Sequence, residues 1–153
     1  MRARLIALSI LSAIVSFAVA SAVLAHPAQA HRASKQAVKH VHLVVKSDAE
    51  HGKKGPDGKW HDAFLPASFT VKPGTKVIVS VRNYDEGAHS FSAPGLHVNV
   101  LIRGGGATKP RTTRFTFVAP KKAGKYQWWC NQPCDPWAMA HLGYMRGVVV
   151  VRS

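Results

Sequence analysis

Residues 126–145 read Tyr126-Gln127-Trp128-Trp129-Cys130-Asn131-Gln132-Pro133-Cys134-Asp135-Pro136-Trp137-Ala138-Met139-Ala140-His141-Leu142-Gly143-Tyr144-Met145. The stretch holds both cysteines of the chain, with His141 and Met145, and lies between two strand-like runs, Gly124 to Trp129 and Gly147 to Val151. Tyr126, Trp128 and Cys130 alternate, so a strand entering this loop carries the first thiol on the same face as two aromatic rings. Thiolate and thioether donors favour copper(I), and imidazole suits copper in either oxidation state. One upstream histidine, His89 in Ala88-His89-Ser90-Phe91, completes the set.

The spacing C-x3-C-x6-H-x3-M, with His89 41 positions before Cys130, resembles that of the cupredoxins. It is most similar to the binuclear copper (CuA) domain of cytochrome c oxidase subunit II and nitrous oxide reductase. Those domains read C-x3-C-x3-H-x2-M after an HS[FW] histidine, so the loop here is longer. The resemblance covers roughly Phe64 to Val151. It implies an exported electron carrier in which His89, Cys130, Cys134, His141 and Met145 hold one or two copper ions. In the binuclear form both thiolates bridge two coppers, each histidine binds one, and Met145 and the Gln132 carbonyl are weak axial ligands. In the mononuclear form one cysteine, two histidines and Met145 suffice. The His89 position also has a competitor in His97, which lies on a strand candidate with no partner motif. Met139 competes with Met145, but Met145 stands just before the Gly147 strand, as the family methionine does.

The rest of the chain fits an all-β domain. Val77, Val79 and Val81 share one face of a strand from Lys76 to Arg82, after the Pro73-Gly74 turn. Thr113, Phe115 and Phe117 share one face of a strand from Thr112 to Val118. Further strands are read at His40 to Lys46, from Phe69, after His89, and at Gly95 to Ile102. Seven or eight short strands separated by turns predict a Greek-key β-sandwich, and the resemblance makes it cupredoxin-like. Ser47 to His61, rich in Gly, Asp and Lys, reads as an exposed loop. Asp135 can cap a short helix with Pro136 at its first position. A turn over Trp137 to His141 would absorb the added residues and return His141 towards the cysteines. Gly104-Gly105-Gly106 lacks the strand-then-helix setting of a phosphate loop.

Residues 1–30 read as an export signal. Arg2 and Arg4 precede an uncharged run from Leu5 to Ala25, and Ala28-Gln29-Ala30 offers a small-x-small cleavage site. The run is also long enough to span a bilayer as an uncleaved anchor, although the cleavage-like sites favour removal. Residues 31–39 form a basic leader without periodicity, leaving 40–153 as the copper-binding domain. The N-terminal histidines, His40 and His42 among them, read as solvated surface with at most an accessory role in metal capture.

The 153 residues carry formal charge +14, or +12 once Arg2 and Arg4 leave with the signal. Such a field speeds encounter with an acidic redox protein and favours loose association with anionic membrane surfaces. No nucleic-acid motif is present, and no substrate pocket or second catalytic centre is implied, so an electron carrier is expected rather than an enzyme. Two other classes remain open. Copper storage, delivery or sensing would use the same soft ligands. A metal-free secreted module would join the cysteines in a disulfide, although a bridge across three residues closes only a small loop.

Overall fold

The computed structural model describes residues 36–153; residues 1–35, on which the expected signal and most of the expected leader fall, lie outside it. Eleven strands are formed: β1 (Val38–Lys46), β2 (Lys53–Lys54), β3 (Trp60–His61), β4 (Ala63–Leu65), β5 (Ser68–Val71), β6 (Lys76–Asn83), β7 (His89–Ala93), β8 (Val98–Ile102), β9 (Arg111–Val118), β10 (Gly124–Trp129) and β11 (Arg146–Val151). A 3-10 turn, Pro94–Leu96, precedes β8, and one short helix, α1 (Pro136–Ala140), lies in the loop before β11.

Nine strands make the sandwich. One sheet runs β4-β1-β6-β9 and the other β5-β11-β10-β7-β8, while β2 and β3 form a separate hairpin. The expected seven or eight strands become nine because β4, three residues long, is too short to show alternation. β1 begins at Val38, two residues before the expected start.

The alternation read from sequence becomes the core. Val41, Leu43 and Val45 of β1 face inward with Val77, Val79 and Val81 of β6, all buried. Trp128 sits at the centre of the opposing sheet. It stacks on Phe91 with ring centres 4.7 Å apart and meets Phe64 edge-on at 4.8 Å. Its indole N–H donates to the Ala67 carbonyl at 2.9 Å, so a buried polar atom is satisfied as well as its ring. β7 is buried along its whole length, because β10 and β8 flank it and the ligand loop covers its start. This is why the run His89 to Ala93 shows no in–out alternation.

The expected loop from Ser47 to His61 differs most. It folds back as the β2–β3 hairpin, with Lys53 paired to His61 and Lys54 to Trp60, and His61 is buried. Two-residue strands carry no period in sequence, and the burial of His61 comes from the ligand loop packing on it.

Candidate metal centre

His89 reaches the site through a braced turn. Buried Asn83, the last residue of β6, donates through Nδ2 to the carbonyls of Gly87 and Arg103, and its Oδ1 accepts from the Asp85 N–H. This holds the turn that carries Asp85 and delivers His89 to the head of β7. The glycine loop after β8 is packed against the same turn: a Cβ on Gly105 would fall 2.3 Å from the Asn83 carbonyl oxygen. Gly104-Gly105 thus serves close backbone approach.

Cys130 follows β10 directly, with its N–H donating to the Met145 carbonyl at 2.8 Å. The Ser90 N–H lies 3.4 Å from the Cys130 sulfur. The Ser90 hydroxyl donates to Asn131 Oδ1 and accepts from the Asn131 N–H. β7 and the start of the loop are thereby tied together at the thiol.

Among the described residues, one group of three donors converges: His89, Cys130 and Cys134. The two sulfurs lie 2.8 Å apart. His89 Nδ1 is 3.1 Å from the Cys134 sulfur and 3.9 Å from that of Cys130. Its other nitrogen, Nε2, is 2.7 Å from Asp85 Oδ2. A carboxylate on the far side of a ligating imidazole fixes its tautomer and raises its basicity, and Asp85 stands where such a partner is needed. The Cys134 thiol, and then His89, lower Cys130 to about 4 against the burial that pushes it up. Cys134 is raised by the neighbouring Cys130 sulfur and by burial. The pair therefore holds one thiolate and one thiol at neutral pH. Burial pushes His89 down, but Cys130 and Asp85 raise it overall. Neither cysteine is joined in a disulfide. This soft, partly ionised donor set fits copper, the metal that cupredoxins bind.

The other expected ligands are placed differently. The Gln132 carbonyl lies 3.9 Å from the Cys130 sulfur, so the main chain between the cysteines does face the group. Met145 is fully buried, and its carbonyl accepts from the Cys130 N–H. His141 is exposed and stands outside the group of three. The helix cap expected from Asp135 is present, its carboxylate accepting from the N–H groups of Trp137 and Ala138. The helix ends one turn later with His141 stacked on Trp137, ring centres 3.7 Å apart, its Nδ1–H donating to the Trp137 carbonyl at 2.7 Å. That packing turns the imidazole outward instead of returning it to the sulfurs. His97 adopts a left-handed conformation (φ 54°) at the end of the 3-10 turn, and Met139 is half-buried against the core.

Sequence reasoning missed Asp85, His61 and Asp57. Asp85 had one signal, as an acidic residue four positions before His89 in a chain with only seven acidic residues. His61 is held between carboxylates, Nδ1 2.6 Å from Asp135 Oδ2 and Nε2 3.1 Å from Asp57 Oδ2. Tyr144 meets its ring edge-on, with Lys53 beyond. Burial pushes His61 down, but its bonds to Asp135 and Asp57 raise it overall. Burial pushes Asp57 up, and the Lys59 N–H and His61 lower it overall. A raised histidine contributes stability fully below its ordinary value of about 6.5, which is lost as pH rises through its raised folded value. A lowered Asp57 contributes above its ordinary value of about 4, which is lost as pH falls through its lowered one. The hairpin should therefore be held best between these limits and loosen on either side of them. Melting temperature against pH checks this, and His61→Gln is expected to flatten the alkaline limb.

Two shallow depressions adjoin the centre. One, of about 330 Å³, is lined by Gln127, Trp129, Cys130, Met139 and Arg146. The other, of about 460 Å³, is bounded by Trp129, Asn131 and His97 among others. Trp129 is 38% exposed between them. Another depression, of about 530 Å³ and lined by Val44, Lys46 and Tyr84 among others, shares no residue with the centre. No helix among the described residues is long and apolar enough to cross a membrane.

No curated protein matches the sequence. A heme-copper terminal oxidase dimer superposes with TM-score 0.52 at 15% identity, over 76% of this chain and 65% of that one. The multicopper oxidase mgLAC gives 0.52 at 18% identity, over 75% and 39%. Auracyanin A, a blue copper protein from Chloroflexus aurantiacus, gives 0.49 at 18% identity, over 75% and 99%. This chain thus spans less than two thirds of either oxidase chain, and at these identities the likeness shows the fold alone. The family profile described as "Cupredoxin-like domain" matches residues 13–151, nearly the whole sequence, and the chain belongs to that family.

Proposed function

We propose that the chain is an exported electron carrier whose copper is held by His89, Cys130 and Cys134 in a CuA-like centre. The observation that carries this is the convergence of two thiols and one imidazole at 2.8–3.9 Å, backed by Asp85. Copper supplies reversible one-electron chemistry when bound. The chain's own residues supply the rest. Asp85 orients His89, and the Ser90 N–H and the Gln132 main chain position the Cys130 sulfur. Phe64, packed edge-on against His89, shields one side from water. Met145 and the Gln132 carbonyl would be the weak ligands, and His141 would join by leaving its stack on Trp137. Exposed Trp129 offers a docking point for a redox partner. Export rests on the N-terminal signal, with 31–39 as leader and 40–153 as the working domain.

A second reading, copper storage or delivery, is favoured by His141, because its outward placement leaves one imidazole in the group. Voltammetry with chelator competition separates the two. A reversible couple with slow copper loss supports the carrier, and rapid exchange with no couple supports handling. Replacing His89 with Ala is expected to strip the copper spectrum in both. Replacing His141 with Ala is expected to distort it only if that residue is recruited.

The basic charge gives a further expectation. Electron transfer to an acidic partner should slow as salt rises, because screening shortens from ~10 Å at 0.1 M to ~3 Å at 1 M. Stopped-flow rates across that range check it, and a rate indifferent to salt would assign the charge no part in encounter.

A further inference from the structure

We infer that His61 is the positioning residue of the metal-ligand loop: it fixes the corner at Asp135, directly after Cys134, and through Trp137 decides where His141 points. The proposal takes from the copper reading only what the loop holds. His61 belongs to β3, outside the loop, yet it is buried and both its ring nitrogens are engaged by carboxylates. Asp135 is shared. Its Oδ2 meets His61, while its Oδ1 accepts from Trp137 and Ala138, and its own N–H donates to Asp62 Oδ2 at 3.3 Å. α1 has five residues and cannot sustain itself in water. Its geometry depends on this cap, and the cap on His61.

The rings extend the argument. Trp137 lies between two imidazoles, stacked on His61 at 3.9 Å (15° between planes) and on His141 at 3.7 Å (12°). Tyr144 closes the cluster edge-on against both His61 and Trp137. The far end of the loop is held by other bonds: Lys53 Nζ to the Gly143 carbonyl, the Tyr144 hydroxyl to the Lys54 carbonyl, and the Phe64 N–H to the Tyr144 carbonyl. Loss of His61 should thus free residues 135–141 while residues 143–145 and the sheets stay in place.

The test uses the full chain carrying His61→Gln, which can meet one carboxylate but cannot stack, and Asp57→Asn, which leaves the Asp135 bond. In the metal-free protein, amide hydrogen exchange at Trp137, Ala138 and Met139 is expected to quicken about tenfold or more in His61→Gln, with β6 and β9 unchanged. Asp57→Asn should show the same pattern more weakly. In the copper-loaded protein the visible and spin-resonance spectra of His61→Gln should shift, which a role confined to stability would not produce. Unchanged exchange at those amides together with an unchanged spectrum overturns the proposal. If His61→Gln does not fold, Asp57→Asn decides by the same two readouts. Should the wild-type chain take up no copper, the carrier reading fails, while faster exchange in His61→Gln still upholds the positioning role and unchanged exchange overturns it.

Discussion

Replacing Cys130 with Ser is expected to abolish the copper centre and leave the fold intact. The Cys130 sulfur faces His89 and Cys134 and receives the Ser90 N–H. Its neighbours hold it ionised, lowered to about 4, so it offers copper a thiolate without first losing a proton at neutral pH. A serine hydroxyl fills much the same space and can accept the same N–H, but it stays protonated and is a hard donor that copper(I) disfavours. Residues behind a ligand typically cost 10–100-fold in metal affinity when changed, so loss of the shared thiolate should exceed roughly 100-fold. The sulfur-to-copper absorption should vanish with it. Asp85→Asn is the graded companion: it leaves all three donors and loses the charge behind His89, so affinity should fall by about 10–100-fold with the absorption bands retained. Competition with a copper chelator measures both. A Cys130→Ser protein that bound copper as tightly as wild type would remove the thiol pair from the centre.

The largest stability effect is expected at Gly147. It stands opposite Trp128 in the β10–β11 register. A Cβ there would lie 1.7 Å from the Ala67 carbonyl oxygen and 2.7 Å from Trp128 Nε1. Those two atoms form the 2.9 Å hydrogen bond that anchors the central indole. Gly147→Ala must therefore push β11 from the Ala67 segment or break that bond. An unsatisfied buried partner costs about 1–3 kcal/mol. Overpacking adds about 1–3 kcal/mol more. Against a total of about 5–15 kcal/mol, that is enough to leave the domain marginal. Trp128→Ala, which empties the Phe64–Trp128–Phe91 cluster, should cost about 3–5 kcal/mol. Urea denaturation of the metal-free protein reports both. A Gly147→Ala midpoint close to wild type would mean that the Ala67 contact is not the constraint described.

How much of this was legible in the sequence follows from where the information lies. Val77, Val79 and Val81, and Tyr126, Trp128 and Cys130, face one side because side chains alternate along a strand, so the sheets could be read locally. The pairing of His89 with Cys130 and Cys134 came from spacing and from a family resemblance, since nothing local brings residue 89 to residue 134. The β2–β3 hairpin was not legible. Its strands have two residues each, and what buries His61 is the ring of Trp137, 76 positions away. His141 went the same way. The cap at Asp135 could be read, but the direction of the chain after α1 depends on Trp137 stacking against His61, a contact no local pattern encodes. Asp85 was visible only as a rare acidic residue near a histidine.

The central claim is that the two thiols and His89 together hold copper in one electron-transfer centre. Copper stoichiometry with electron spin resonance on the loaded, half-oxidised protein tests it most directly. The account predicts two coppers per chain sharing one unpaired electron, with hyperfine splitting from both nuclei that disappears in Cys130→Ser. A single copper with splitting from one nucleus, unaffected by loss of either cysteine, would contradict it.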